Sequence, residues 1–224
     1  MKAADLFAAL LVAGIVLLLT VGRAAYDAAY AFSPLLIAFA KFALLSTFGE
    51  TLVSRILTGR FLRPRFGLVP KAIIWGILGM FVYTAFVIFE NGVTQLIYGG
   101  AVPDSVIGQI VRAFLISLFM NLVFAPVLMT IHQLTDLFID KHHGRFPVGE
   151  LRPGELLGIV DWNRMWSFIF ARTIPLFWIP AHTITFLLPA EFRLIYAAGL
   201  SVMLGLFLAL VRRRKPAASP TQGR

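Results

Sequence analysis

Three polar side chains recur at helical spacing inside a stretch that is otherwise apolar enough to cross a bilayer. Trp178, His182 and Thr185 are four and three residues apart, so on a helix they share one face. An indole N–H, an imidazole and a hydroxyl on one stripe offer hydrogen bonding to a solute rather than a nucleophile held by a base. Pro175 precedes the stripe and Pro180 falls within it, and each removes a backbone donor and favours a kink. In lipid every backbone polar group needs a partner inside the protein. A broken helix is therefore tolerated only against neighbouring helices or beside a wet cavity. Pro189, just before Glu191 and Arg193, reads as the end of the span.

Other polar groups fall at bilayer depth. A charge at the membrane centre costs about 2.5–3.5 kcal/mol on insertion scales, so each one needs a reason. Lys41 and Glu50 lie in one span, nine residues apart. At about 100° per residue they point to opposite sides of a helix and cannot pair along it. Ser46, Glu50 and Ser54 are spaced by four and form a hydroxyl–carboxyl–hydroxyl stripe. Glu50 also suits the inner membrane edge, bridged to an arginine of the following loop, and Lys41 suits snorkelling to the interface. A further span carries Ser117 and Asn121, then Pro126, which should kink it, then His132 and Asp136 four apart, a pair for the inner mouth or a helix cap. The solute-contacting or pore-lining candidates are thus Lys41, Ser46, Glu50, Asn121, Trp178, His182, Thr185 and Arg193.

The elements that would position these groups follow from the apolar runs. Hydrophobic residues make up 59% of the 224, and the mean hydropathy is +0.84. A span takes about 20 apolar residues. Residues 6–22, 34–53, 68–90, 110–132, 167–188 and 194–211 qualify. The expected fold is an all-α polytopic membrane protein, a bundle of about six transmembrane helices with kinked, proline-containing spans. The N-terminal run reads as a retained span, because Asp5 interrupts the basic end that a secretory signal would carry. Residues 23–33 are suited to continuing a helix at the interface. The longest loop, 140–164, places Pro153 and Glu155 as a helix start and Trp162 near Trp166, which suits an amphipathic helix in the interface before the fifth span. A plain solvated loop is the other reading. Residues 212–224 are basic and then rich in Pro, Ala and Ser, and read as a disordered tail.

The net charge of +9 has to be placed before it is interpreted. With the N-terminus cytoplasmic, most cations fall on inner loops and only Arg23, Arg112 and Arg193 fall outside. That asymmetry favours an even number of spans with both ends cytoplasmic. Basic loops against anionic lipid of the cytoplasmic leaflet account for the charge better than nucleic acid does. Ala197, Ser201 and Gly205, and likewise Ala72 and Gly76, repeat at four and suit close helix packing.

Several chemistries lack their residues. With no cysteine there is no disulfide and no thiolate. No G-x-S-x-G elbow and no H-E-x-x-H zinc helix occurs, and the four histidines are too few and scattered for a histidine-box di-iron oxidase. An enzyme, a metal site and a cofactor are therefore not expected. A lipid-acting enzyme would need His132 and His182 to converge with a carboxylate.

The second half resembles the Mpv-seventeen / PMP-twenty-two family of mitochondrial inner-membrane and peroxisomal membrane proteins. Trp178, His182, Thr185, Phe186, Pro189 and Arg193 fall where that family has Trp, Gln, Asn, Phe, Pro and Arg, once one residue is dropped before Pro189. The segment LVFAP at 122–126 matches the family's run after its Asp-Gln pair, which is Met120 and Asn121 here. Gly49 and Glu50 sit where the family has Gly-Asp, and Gly76 and Tyr83 keep the ends of its G-P-x-x-H-x-W-Y motif. The likeness covers roughly 41–211, with the first span additional, and the changed polar positions leave selectivity open. It implies a small channel-like membrane protein. The Ala-, Leu- and Arg-rich composition points to a bacterial relative in the plasma membrane. The expected function is a channel or pore for small polar solutes or ions, oligomeric or not. The alternative is a non-conducting structural protein that binds lipid or a partner.

Overall fold

The computed structural model describes residue 28 and residues 30–214. The first expected span, 6–22, and the tail from 215 lie outside the described residues. Every regular element among those described is helical. Helix α1 spans Pro34–Thr58, α2 Leu68–Tyr98 and α3 Val106–Lys141. The connection after α3 holds α4, Pro153–Ile159, and the single turn α5, Trp162–Arg164. A π-type segment, Met165–Trp178, runs directly into α6, Ile179–Leu187, and α7 is Ala190–Arg214.

Helices α1, α2 and α3 are each long and apolar enough to cross a membrane. They outrun their apolar cores at the basic end, where α1 extends to Thr58 and α3 to Lys141, both beyond the hydrophobic runs. Their boundaries follow local chemistry. Ser33 caps α1 by accepting the Leu36 N–H at 3.3 Å, and Pro34 occupies the first turn, where no donor is needed. Gly67 opens α2 at φ +74°, a left-handed backbone that suits glycine, and a side chain there would meet Gly144 at 3.0 Å.

Pro126, the expected kink site, lies inside the continuous helix α3. The fifth expected span divides instead. Its Met165–Trp178 part is bonded from i to i−5: the Ile179 N–H donates to the Ile174 carbonyl, and the Thr173 hydroxyl donates to Phe168 O at 3.1 Å. Pro175 and Pro180, which cannot donate, fall in this wide-turned segment and at the start of α6.

Helix α1 packs on both α2 and α7, and α6 packs on α3. Small residues let these rods approach. Gly76 faces the Phe39 ring, and Gly49 faces Val202. At Gly79 a Cβ would sit 2.5 Å from Phe42 Cβ and 2.8 Å from the Ala38 carbonyl, which is backbone and cannot swing away. Gly79→Ala is therefore expected to destabilise the bundle by about 1–3 kcal/mol, read as a fall in the thermal midpoint in detergent. An unchanged midpoint would show that α1 and α2 are not so closely apposed.

The loop after α1 and the segment after α3 meet at one end. Arg63 pairs with Asp140 at 3.5 Å and Arg65 meets the His143 ring at 3.4 Å. Both basic loops thus lie on one face of the bundle.

Candidate functional site

A cavity of about 580 Å³ runs into the bundle from that basic end. Arg63 and Asp140, both half-exposed, stand at its mouth, and Asn121, Trp178 and His182 line its depth. At its deep end Phe86 lines the cavity and packs with Ile116, Phe186 and Leu194, all buried, in one apolar cluster.

The mouth half is wired by charge. Lys71 Nζ lies 2.9 Å from Glu50 Oε2 and 2.5 Å from Asp136 Oδ1. Trp75 donates its indole N–H to Glu50 Oε1 at 2.6 Å. His132 Nε2 stands 3.6 Å from Glu50 and 3.7 Å from Asp136, and its ring packs on Trp75 with centroids 4.3 Å apart. One cluster therefore ties α1, α2 and α3 together. Glu50, His132 and Asp136 bring donor atoms close enough together to hold a metal ion. The Lys71 ammonium, bonded to both carboxylates, already supplies positive charge there.

The deep half is neutral. Asn121 Nδ2 donates to the Ser117 carbonyl at 2.8 Å and lies 3.1 Å from His182 Nδ1. Ser117 donates to the Ile179 carbonyl at 2.7 Å, which joins α3 to α6 next to Pro180. Trp178 stacks on His182, with centroids 5.3 Å apart and 27° between planes. These polar groups are buried and mostly satisfied by each other, as a low-dielectric site requires.

Five of the eight candidates, Ser46, Glu50, Asn121, Trp178 and His182, line this one cavity. Three do not. Lys41 lies outside the lining, with its ammonium 5.9 Å from the Tyr30 ring, as the half-turn offset from Glu50 requires. Thr185 is fully buried and donates back to Ala181 O at 3.1 Å, so its hydroxyl is spent within α6. Arg193 lies at the other end, bonded to Glu90 and to the Leu188 carbonyl at 2.9 Å. Glu90 also holds Arg112 at 3.0 Å, and Arg112 takes Thr94 Oγ1 at 2.8 Å. Arg193 thus belongs to a clasp joining α2, α3 and α7 rather than to the cavity.

Sequence reasoning missed Lys71 and Trp75. Lys71 is not among the candidates above, yet it is buried on α2 with a side chain 5% exposed. The available signal was its spacing: Lys71, Trp75, Leu78 and Val82 follow at four, three and four, and all line the cavity. Of the two readings for Glu50, a solute-contacting stripe or a bridge to a loop arginine, the second has its cation supplied by this lysine on the next helix, and Glu50 also lines the cavity. His132 and Asp136 come within 3.7 Å of each other without a hydrogen bond between them, and Asp136 takes Lys71 as its partner.

Comparison with family models, with curated proteins and with solved structures finds no match for this chain.

Proposed function

We propose that this is a membrane transport protein of the gated-pathway type, in which a small solute enters the cavity from the basic end. The observation that carries this reading is the cavity itself. It joins an ion-paired mouth to a hydrogen-bonding floor within helices suited to a bilayer, and its volume falls within the range of small-molecule sites. The reading of a gated pathway rather than an open pore is supported by the apolar packing at the deep end, where the Phe86 and Phe186 rings lie 5.0 Å apart. The basic end is taken as cytoplasmic on the positive-inside rule, in a bacterial plasma membrane, with anionic lipid against its loops. With residues 6–22, 167–188 and 194–211 also spanning, the bundle has about six transmembrane helices, and the motif resemblance to the Mpv-seventeen / PMP-twenty-two family agrees with a channel-like role.

Liposomes holding the purified protein are expected to admit glycerol several-fold faster than empty liposomes, by light scattering. His182→Ala is expected to change that rate, and Lys41→Ala, outside the cavity, is expected to leave it alone. A rate equal to that of empty liposomes would overturn conduction. The apolar packing at the deep end favours one second reading in that case: a non-conducting membrane protein that only binds a ligand in its cavity.

A further inference from the structure

Charges of both signs line the cavity: Arg63, Lys71 and Arg164 against Glu50, Asp136 and Asp140. Their order along the entry matters more than their sum. Asp136 and Asp140 are four residues apart on α3, about 6 Å along its axis. They mark an outer and an inner tier.

The outer tier has a cation to spare. Arg63 meets Asp140 at 3.5 Å, and both are half-exposed, so that pair is loose. Arg164 gives its backbone N–H to Asp161, and its guanidinium holds no carboxylate among the described residues. The inner tier has a carboxylate to spare. One ammonium, Lys71, faces both Glu50 and Asp136. The His132 ring stands 3.6 and 3.7 Å from them without a hydrogen bond, and with that ring neutral one negative charge is left over. Both carboxylates line the cavity with side chains 23% and 29% exposed, so a solute can reach them.

Positive outside and negative inside suits a solute with the opposite order. A lone anion gains at the arginines and then meets two carboxylates. A lone cation gains at the inner tier but has to pass the arginines. A neutral polyol offers no charge-assisted bond to either. A zwitterion gains at both tiers, and losing its water costs less because each end finds a counter-charge. An α-amino acid carries both charges on one carbon. An ω-amino acid separates them by several methylenes, closer to the spacing of one helical turn.

We infer that the cavity mouth binds a small zwitterionic ω-amino acid, its carboxylate on Arg164 and its ammonium at Glu50 and Asp136 beside Lys71. This rests on the proposed solute cavity and names the solute class for it. Arg164 acts as a specificity-determining residue, separating the zwitterion from an amine of the same length.

The test compares γ-aminobutyrate with n-butyrate and n-butylamine, which each keep one charged end. All three are titrated at fixed ionic strength into the full chain in phosphatidylcholine nanodiscs, with binding read from the rise in thermal midpoint. The wild type is expected to bind γ-aminobutyrate about tenfold more tightly than either analogue. Arg164→Gln breaks no ion pair, so the fold is kept. It is expected to weaken γ-aminobutyrate about tenfold while n-butylamine changes by less than about twofold. Equal binding of the three by the wild type overturns the inference, whatever becomes of the variant. A preference that survives in Arg164→Gln also overturns it, because the carboxylate is then read elsewhere. Glycerol flux measured with the same preparation separates the two claims. Flux with equal binding sinks only the zwitterion, whereas a tenfold preference without flux leaves the zwitterion site and sinks conduction.

Discussion

Replacing Lys71 by methionine is expected to destabilise the protein by about 3–5 kcal/mol, read from equilibrium unfolding in mixed micelles. The size of the effect follows from what remains. Lys71 Nζ bridges Glu50 and Asp136 at 2.9 and 2.5 Å, and its side chain is 5% exposed. Methionine fills a similar volume, so little packing is lost. Two carboxylates are left facing each other at the mouth of an apolar cavity, with the Trp75 N–H on Glu50 and the His132 ring 3.6 and 3.7 Å away but no ammonium between them. Exposed ion pairs are worth about 0–1 kcal/mol, so the measurement separates a buried bridge from a superficial one. A loss under about 1 kcal/mol would mean the cluster is solvated and not structural.

The same argument requires a rescue. Glu50→Gln with Asp136→Asn, added to Lys71→Met, removes the stranded charges and is expected to restore most of the lost stability. Replacing a whole buried ion cluster by neutral groups is often close to neutral, whereas removing one partner is not. A triple variant as weak as the single one would place the damage in packing.

How far these residues were legible in the chain depended on the range of the interaction. Apolar runs exposed α1, α2 and α3, because a bilayer imposes one length on any span. Helical spacing placed Ser46 with Glu50, His132 with Asp136, and Lys41 away from Glu50, because those relations lie within one helix. It did not reach Lys71 or the Glu90 clasp. Glu50 and Lys71 meet only because α1 and α2 are antiparallel neighbours. Glu90 and Arg193 are joined across 103 positions. Thr185 was misjudged for a local reason: a hydroxyl in a helix can return its proton to the carbonyl four residues back, as it does here to Ala181. Pro126 lies inside the continuous α3, and the irregular backbone falls around Pro175, just ahead of Pro180 at the start of α6.

Glu90→Gln is expected to raise glycerol flux through the reconstituted protein about tenfold, the largest functional effect of any single change outside the cavity. Glu90 uses one carboxylate oxygen for Arg112 and the other for Arg193, which pins α2, α3 and α7 together beyond the deep end of the cavity. The two guanidinium side chains are only 11% and 15% exposed. Glutamine keeps the shape and one acceptor but loses the charge that both arginines share. A hydrogen bond to a charged group is worth about 1.5–3 kcal/mol, and a tenfold shift between closed and open forms needs about 1.4 kcal/mol. Loss of part of this clasp is therefore enough, provided the clasp is stronger in the closed form than in the open one. Flux separates this from a purely structural role, because a weakened but still sealed bundle would unfold more readily without admitting solute. If Glu90→Gln lowers the thermal midpoint and leaves flux at the wild-type rate, the clasp is only a fastener and the pathway opens elsewhere. If flux rises while the His182→Ala effect persists in the double variant, solute still crosses the Asn121–His182 floor, and the clasp and the floor act in series along one route.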